Sequence, residues 1–301
     1  MKVVIAGGTG LVGTELSKHL IAKGHEVWIL TRSSNPKKIH PQVHYAQWDG
    51  MTSRNWGLLV EDMDAIVNLA GETIEGWRWT AKKKKHIVES RIQTGSAIVE
   101  AVRNSIHKPE VVLQVSGIDY YPSDLNQEFT INNPPGTGFM GDAAVLWEQS
   151  TKPVEVLGVR RVVMRSSQVM SPRGGSLAKI ILPFKLFIGG PLGSGEQWWT
   201  WIHIADSAAA MVFLLENRDV SGTINLCSPQ PIKMKEFGKI LAKVLHRPYW
   251  LPVPAFVLKI MLGEMSALLL AGRRVYPDTL QNSGFEFKYP DLQQALNSLL
   301  K

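Results

Sequence analysis

What the chain has little of narrows its class first. Its 301 residues include one cysteine, Cys227, which excludes an intramolecular disulfide framework and a cysteine-built zinc centre. No grouping of His, Asp and Glu has metal-ligand spacing, so no metal is expected. No G-x-S-x-G nucleophile elbow occurs. Long apolar runs are missing as well. The best stretch, residues 254–272, is interrupted by Lys259 and Glu264. A membrane-spanning helix needs about 20 mostly apolar residues, so this stretch reads as a buried or partner-facing helix. Residues 1–7 are apolar apart from Lys2, too short for a signal-peptide core, and lack a small-residue cleavage site. The expectation is a cytoplasmic protein with no membrane association. Acidic residues are the minority, 26 against 33 Lys and Arg, giving a net charge of +7. The only dense basic run is residues 82–85, with no aromatic side chains interleaved. It reads as a solvated helix face rather than a nucleic-acid platform, and no nucleic-acid partner is expected.

The chain does contain a strand–helix alternation. Val3-Val4-Ile5-Ala6 is a β-branched run of the kind found in parallel strands buried on both faces. Glycines follow, and then Leu11, Leu16, Leu20 and Ile21 recur at helical spacing up to Gly24. Further strands are predicted at 26–30, 44–48, 65–70, 111–116, 161–166 and 223–226. Helices are predicted over 82–105, 141–151, 205–216 and 233–245. This rhythm predicts an α/β fold with a Rossmann-type, doubly wound parallel sheet and a smaller C-terminal α/β lobe. The expected division is a dinucleotide-binding domain over 1–170, rejoined by 200–228, with 171–199 and 229–301 forming the smaller substrate-side lobe.

The turn between the first strand and first helix reads Gly7-Gly8-Thr9-Gly10-Leu11-Val12-Gly13. Glycines there permit a tight turn, close approach to a pyrophosphate, and close helix–strand packing. The helix N-terminus then offers free N–H groups to the phosphates. An NAD site usually carries an acid about 20 residues further on, bonded to the ribose hydroxyls. Here Thr31-Arg32-Ser33 stands in that place, with Arg32 19 residues past Gly13. An acid repels a 2′-phosphate, whereas an Arg pairs with it. One unit charge pair at 4 Å is worth about 4 kcal/mol at an effective dielectric near 20. The expected cofactor is therefore NADP(H), with Lys37 and Lys38 adding to the positive field.

These segments resemble the extended short-chain dehydrogenase/reductase superfamily of nucleotide-sugar epimerases and dehydratases. The resemblance rests on the glycine turn, Asn68-Leu69-Ala70-Gly71 and Trp201-Ile202-His203-Ile204-Ala205-Asp206. Other segments are similar to one atypical branch, the "epimerase family protein" group. Its members are linked by name to nucleotide-sugar epimerases or cell-division inhibitors, and they end in a small domain of unknown function. The segments concerned include Trp77-Arg78-Trp79, Ser90-Arg91-Ile92-Gln93-Thr94-Gly95 and Leu280-Gln281-Asn282-Ser283-Gly284-Phe285. The resemblance implies that Leu69, Ala70 and Gly71 line the cofactor and that Trp48 and Asp49 lie near its adenine. It also implies that Arg91 flanks the site, facing a phosphate or an anionic substrate, or else forming an ion pair.

The superfamily's proton chemistry uses a Tyr and a Lys four residues later. One register places Phe139 and Ala143 there, and another, anchored on Glu148, places Met140 and Ala144. Neither supplies the pair. The remaining candidates for proton transfer are Ser116 (also a cofactor contact), Tyr120, Tyr121 and His203. For the tyrosines, packing is the competing role. For His203 with Asp206, it is capping and lobe packing. Trp77, Trp79, Trp198, Trp199 and Trp201 suit either an aromatic wall for a ligand or a lobe interface. The functional expectation is an NADP(H)-binding oxidoreductase or epimerase-like enzyme on a carbonyl or nucleotide-sugar-like substrate. The alternative is a non-catalytic NADP(H)-sensing regulator with a protein partner, for example in cell or plastid division.

Overall fold

The computed structural model describes residues 1–74, 76 and 78–301. Its first half alternates strand and helix: β1 (Lys2–Ala6), α1 (Leu11–Ala22), β2 (Glu26–Thr31), β3 (Val43–Gln47), β4 (Ala65–Asn68), α2 (Ala81–Asn104) and β5 (Val111–Gly117). A short β6 (Glu128–Phe129) and α3 (Phe139–Ser150) lead to β7 (Arg160–Ser166) and β8 (Gln168–Met170). Then come α4 (Gly175–Lys185), β9 (Trp198–Trp199), β10 (Trp201–His203), α5 (Ile204–Glu216) and β11 (Gly222–Leu226). The chain ends with β12 (Ile232–Lys233), α6 (Met234–Leu245), α7 (Ala255–Leu262), α8 (Ala267–Leu270), β13 (Arg274–Val275), α9 (Asp278–Asn282) and α10 (Leu292–Leu300).

Seven strands form one parallel sheet in the order β11-β7-β5-β4-β1-β2-β3. Both faces are covered, which is why Val3, Val4, Ile5 and Ala6 are all fully buried. On one face Leu16 and Leu20 of α1 and Met211 and Leu214 of α5 pack over Ile5, Ile29 and Leu113. On the other, Ile98 and Val102 of α2 pack over Val4, Ile66 and Val112, with Trp48 and Trp56 closing the edge. A third core joins Leu177 and Phe184 of α4, Phe237 and Leu241 of α6 and Leu296 of α10 around Trp199 and Trp201.

The strand order reverses at β1, between β2 and β4. In open α/β sheets a ligand crevice lies outside the carboxyl ends of the strands at such a point. Two differences between sequence and structure bear on the cavities. Residues 254–272 are not one helix: Gly263, at φ +59°, ends α7, and a 3₁₀ turn (Gly263–Ser266) leads into α8. That backbone angle suits glycine and stops helical propagation. Nor is the stretch uniformly buried, since Phe256 and Ile260 are exposed. The predicted strand over 65–70 ends at Asn68, and its amide binds Gln114 in the next strand. Residues 69–71 are therefore released as a loop at the crevice.

Candidate functional site

The crevice at the reversal point is about 520 Å³ in volume. Gly7, Thr9 and Gly10 line it from the end of β1, and Thr31, Arg32 and Ser33 from the end of β2. Trp48 and Gly50 come from the end of β3, and Leu69, Ala70, Gly71 and Glu72 from the end of β4. Leu30 of β2 and Ser90 and Thr94 of α2 complete the lining; the last two belong to a segment of the family resemblance but were not singled out as site residues, and Gly50 and Glu72 carried no sequence signal of their own. Two glycines are required by space as well as angle. At Gly7, φ +80°, a Cβ would lie 2.8 Å from the Leu69 carbonyl carbon, and at Gly13 it would lie 2.6 Å from the Gly7 oxygen. Leu11, Val12 and Gly13 form the first turn of α1. No side chain caps this helix start and no acid occupies its first turn. Its free N–H groups and positive dipole end are thus left for an anion. The cradle and its donors fit a dinucleotide pyrophosphate.

Around this turn the side chains divide into those facing the crevice and those supporting it. Arg32 is exposed at its rim and makes no ion pair or hydrogen bond among the described residues. Thr31 is tied down locally, its hydroxyl accepting from the Ser33 amide at 3.2 Å. Glu72 is held below the usual carboxylate range, chiefly by the Lys83 hydrogen bond, with Lys83 and Arg32 charges adding. Trp48 is buried, donates its indole N–H to the Thr52 carbonyl at 2.9 Å and meets Trp56 edge-on. Asp49 is exposed, and its carboxylate accepts from the Thr52 hydroxyl and the Met51 and Thr52 amides. Those bonds, the hydroxyl first, hold its carboxyl low and make it a turn staple. Arg91 sits behind Gly71, where a Cβ would come within 3.4 Å of its guanidinium. It donates to the Glu72 and Ile87 carbonyls, each at 2.9 Å, and lies 4.4 Å from the Trp147 ring. Burial pushes its guanidinium down to about 10, with the Glu72 charge opposing.

A second polar assembly lies at the carboxyl ends of β5, β7 and β11, where the superfamily resemblance places the proton chemistry. Ser116 donates to Glu148 of α3 at 2.9 Å, and Glu148 takes both Arg165 Nε (2.9 Å) and Nη2 (3.0 Å). Arg165 Nη1 donates at 3.0 Å to the Tyr121 hydroxyl, which donates in turn to Asn225 at 2.7 Å. The guanidinium also stacks 3.3 Å from the Tyr120 ring. Burial alone would lower Arg165, but the Glu148 bonds and charge outweigh it and keep the group fully charged. Burial raises the Tyr121 phenol above its usual value, with Arg165 opposing. Ser116 and Tyr121 are therefore already committed to partners. Ala143 and Ala144 are buried on α3, and Phe139 packs edge-on against Trp79.

His203 stands apart from both assemblies. Its Nδ1 accepts the Ala205 amide at 3.0 Å at the start of α5, and its Nε2 lies 3.1 Å from the Ser298 hydroxyl. Accepting at Nδ1 places the proton on Nε2. Burial pushes this imidazole down to about 4. Asp206 accepts the Lys288 and Tyr289 amides, both at 2.9 Å, and burial raises its carboxyl. Of the five tryptophans, Trp77 falls outside the described residues. Trp199 and Trp201 are core residues, Trp198 is flanked by Lys233 and Arg274, and Trp79 packs on Phe139. Among the described residues, none of these four lines the crevice. Three of the basic-run lysines pair with Glu72, Glu264 and Glu89. No metal-binding group of three His, Cys, Asp or Glu occurs among the described residues, and no helix there is long and apolar enough to cross a membrane.

Comparison with known proteins matches residues 3–227 to the model described as "NAD dependent epimerase/dehydratase family" and residues 253–299 to a domain of unknown function (DUF1731). The chain is 38% identical over 303 residues to Epimerase family protein YfhF of Bacillus subtilis, covering 100% of this chain and 98% of that one. The crystal structure of human epimerase family protein SDR39U1 (isoform 2) with NADPH superposes with a TM-score of 0.89 at 31% identity, covering 99% of each chain. A nucleoside-diphosphate sugar epimerase from Corynebacterium glutamicum superposes at 0.80 with 28% identity, covering 100% of this chain and 58% of that one.

Proposed function

Since the chain belongs to the NAD dependent epimerase/dehydratase family, we propose that it binds NADP(H) and acts as an oxidoreductase or epimerase-like enzyme on a carbonyl or nucleotide-sugar-like substrate. The observation that carries this reading is Arg32, free at the end of β2 beside the glycine cradle, in the place where an NAD site would hold an acid. The human relative's structure with NADPH supports the same choice. When bound, the dinucleotide supplies hydride chemistry. The chain's own part is to grip the pyrophosphate with the α1 amides, to pair the 2′-phosphate with Arg32 and to hold the adenine side near Trp48.

The proton's route departs from the superfamily pattern, because Met140 or Phe139 and Ala143 or Ala144 hold the relay positions. Calorimetric titration with NADPH and NADH, followed by NADPH oxidation over a carbonyl and nucleotide-sugar panel, tests the reading. Preference for NADPH by tenfold or more, with turnover of one panel member, is expected, and equal affinity for both dinucleotides would refute the cofactor assignment.

One observation favours the second reading, a non-catalytic NADP(H) sensor. The Ser116 and Tyr121 hydroxyls are both locked to Glu148, Arg165 and Asn225. On that reading NADPH binds tightly, no panel member turns over, and a protein partner is captured only with NADPH present.

A further inference from the structure

A second cavity, about 430 Å³ in volume, lies under α7 and α8 and is walled by α4 and α6. The loop after β4 joins it to the crevice: Gly71 and Glu72 line the crevice, and Ile74 lines this cavity two residues further on. Its walls are of opposite character to the crevice. Ile180 and Phe184 of α4, Phe237 of α6, and Met265, Leu268 and Leu269 beneath the cap are apolar. Lys179 is the one charged side chain among the described lining residues. The cap is fastened to the first half of the chain, since Arg78 donates to the Ile260 and Met261 carbonyls and Lys84 pairs with Glu264.

We infer that this cavity is the substrate pocket and that it takes an uncharged, mainly apolar molecule bearing one carbonyl or hydroxyl, rather than a sugar nucleotide. The inference rests on the reading of the adjoining crevice as a dinucleotide site for the position of the reacting end. Two observations carry it. A diphosphate entering these walls would lose its hydration and find one cation in exchange, which apolar surroundings penalise heavily. The Ser176 hydroxyl, on the cavity wall, is buried with no hydrogen-bond partner among the described residues. Buried polar groups are almost always satisfied, and a ligand oxygen would complete this one once the side chain turns about χ1 toward the cavity. The cavity's size is that of small-molecule pockets, roughly 300–1,000 Å³. On this assignment the C-terminal segment of unknown function has a definite task, roofing an apolar pocket with Met265, Leu268 and Leu269.

The test is a homologous series of 2-alkanones, from six to twelve carbons, titrated calorimetrically with and without NADPH. Affinity should rise about fourfold per added methylene, the factor that corresponds to burying one CH₂, until the chain outgrows the cavity. Ser176→Ala should weaken every ketone by about fivefold, as for one net hydrogen bond, and leave that slope unchanged. Leu268→Arg should abolish ketone binding while NADPH affinity stays intact. If circular dichroism shows that variant to be unfolded, Ile180→Arg on the opposite wall serves in its place. A protein that binds NADPH but shows no methylene slope overturns the inference, as does UDP-glucose displacing a bound ketone. A protein that shows the slope but binds no NADPH keeps the pocket assignment and refutes the proposed function instead.

Discussion

Replacing Arg32 is the most direct test of cofactor choice, because the side chain stands exposed at the crevice rim with no ion pair or hydrogen bond among the described residues. The size of the effect follows from where the guanidinium sits. A unit charge pair at 4 Å is worth about 4 kcal/mol at an effective dielectric near 20 and about 1 kcal/mol in bulk water. Arg32 is exposed, so solvent and salt screen it and the net value falls in the lower part of that range. We take about 1.4–2.8 kcal/mol, which is roughly ten- to a hundredfold in dissociation constant. Arg32→Ala should therefore bind NADPH ten- to a hundredfold more weakly and leave NADH within about twofold of the parent protein. Arg32→Asp should reverse the preference, by repelling the 2′-phosphate and offering an acceptor to ribose hydroxyls. Calorimetry gives both constants, and Trp48 on the crevice wall offers a fluorescence signal for the same titration. Because the pair is exposed, the preference should shrink as ionic strength rises from about 0.05 M to 0.5 M and the Debye length shortens. NADPH and NADH affinities that fall together, or that both stay unchanged, would refute the reasoning.

Three further outcomes follow from buried features. Glu148→Leu leaves the Arg165 guanidinium inside the protein without its carboxylate, which should cost about 3–5 kcal/mol in urea unfolding, whereas Glu148→Leu with Arg165→Met should recover much of that loss. Gly13→Ala should abolish NADPH binding and lower the melting temperature, because its Cβ would lie 2.6 Å from the Gly7 oxygen. Stability should also depend on pH through His203, whose folded value of about 4 lies below its ordinary 6.5. Between these values the unfolded chain binds the proton and the folded chain does not, so stability falls as pH drops from 6.5 toward 4. The raised Asp206 carboxyl works in the opposite sense near the acid end of that window. His203→Gln should flatten the slope of urea midpoints measured across the window, and an unchanged slope would place its origin elsewhere.

How much of this was legible from the residues alone depended on range. The buried strands and the glycine turn are local patterns, so β1, α1 and β2 could be read from spacing and side-chain type. Arg32 could be read as well, because its meaning comes from its distance past the turn. The Ser116–Glu148–Arg165–Tyr121–Asn225 assembly could not. Its members span 116 to 225 and meet only when β5, β7 and β11 lie side by side. Arg165 directly follows the apolar run Val162-Val163-Met164 of β7, with nothing nearby in sequence to name its partner. Glu148 served only as an alignment anchor. The apolar cavity was hidden for a similar reason. Residues 254–272 carry the composition of one buried helix, and the break at Gly263 that turns them into a roof depends on a backbone angle that composition does not record.

The bonds that His203 and Asp206 make to residues 288–298 have a mechanical consequence. They stitch the last stretch of the chain to the start of α5, and α5 packs on α1 against the main sheet. The C-terminal part is thus clasped along one seam and cannot swing away as a whole without breaking these three partly buried hydrogen bonds. The roof formed by α7 and α8 is held at its other border by Arg78 and Lys84, whose partners lie at the protein surface. The roof of the apolar cavity is thus tied to the first half of the chain by contacts separate from the clasp at α5. Charge-neutralising changes at Lys84 or Glu264 would remove one of those ties and leave the bonds at His203 and Asp206 intact.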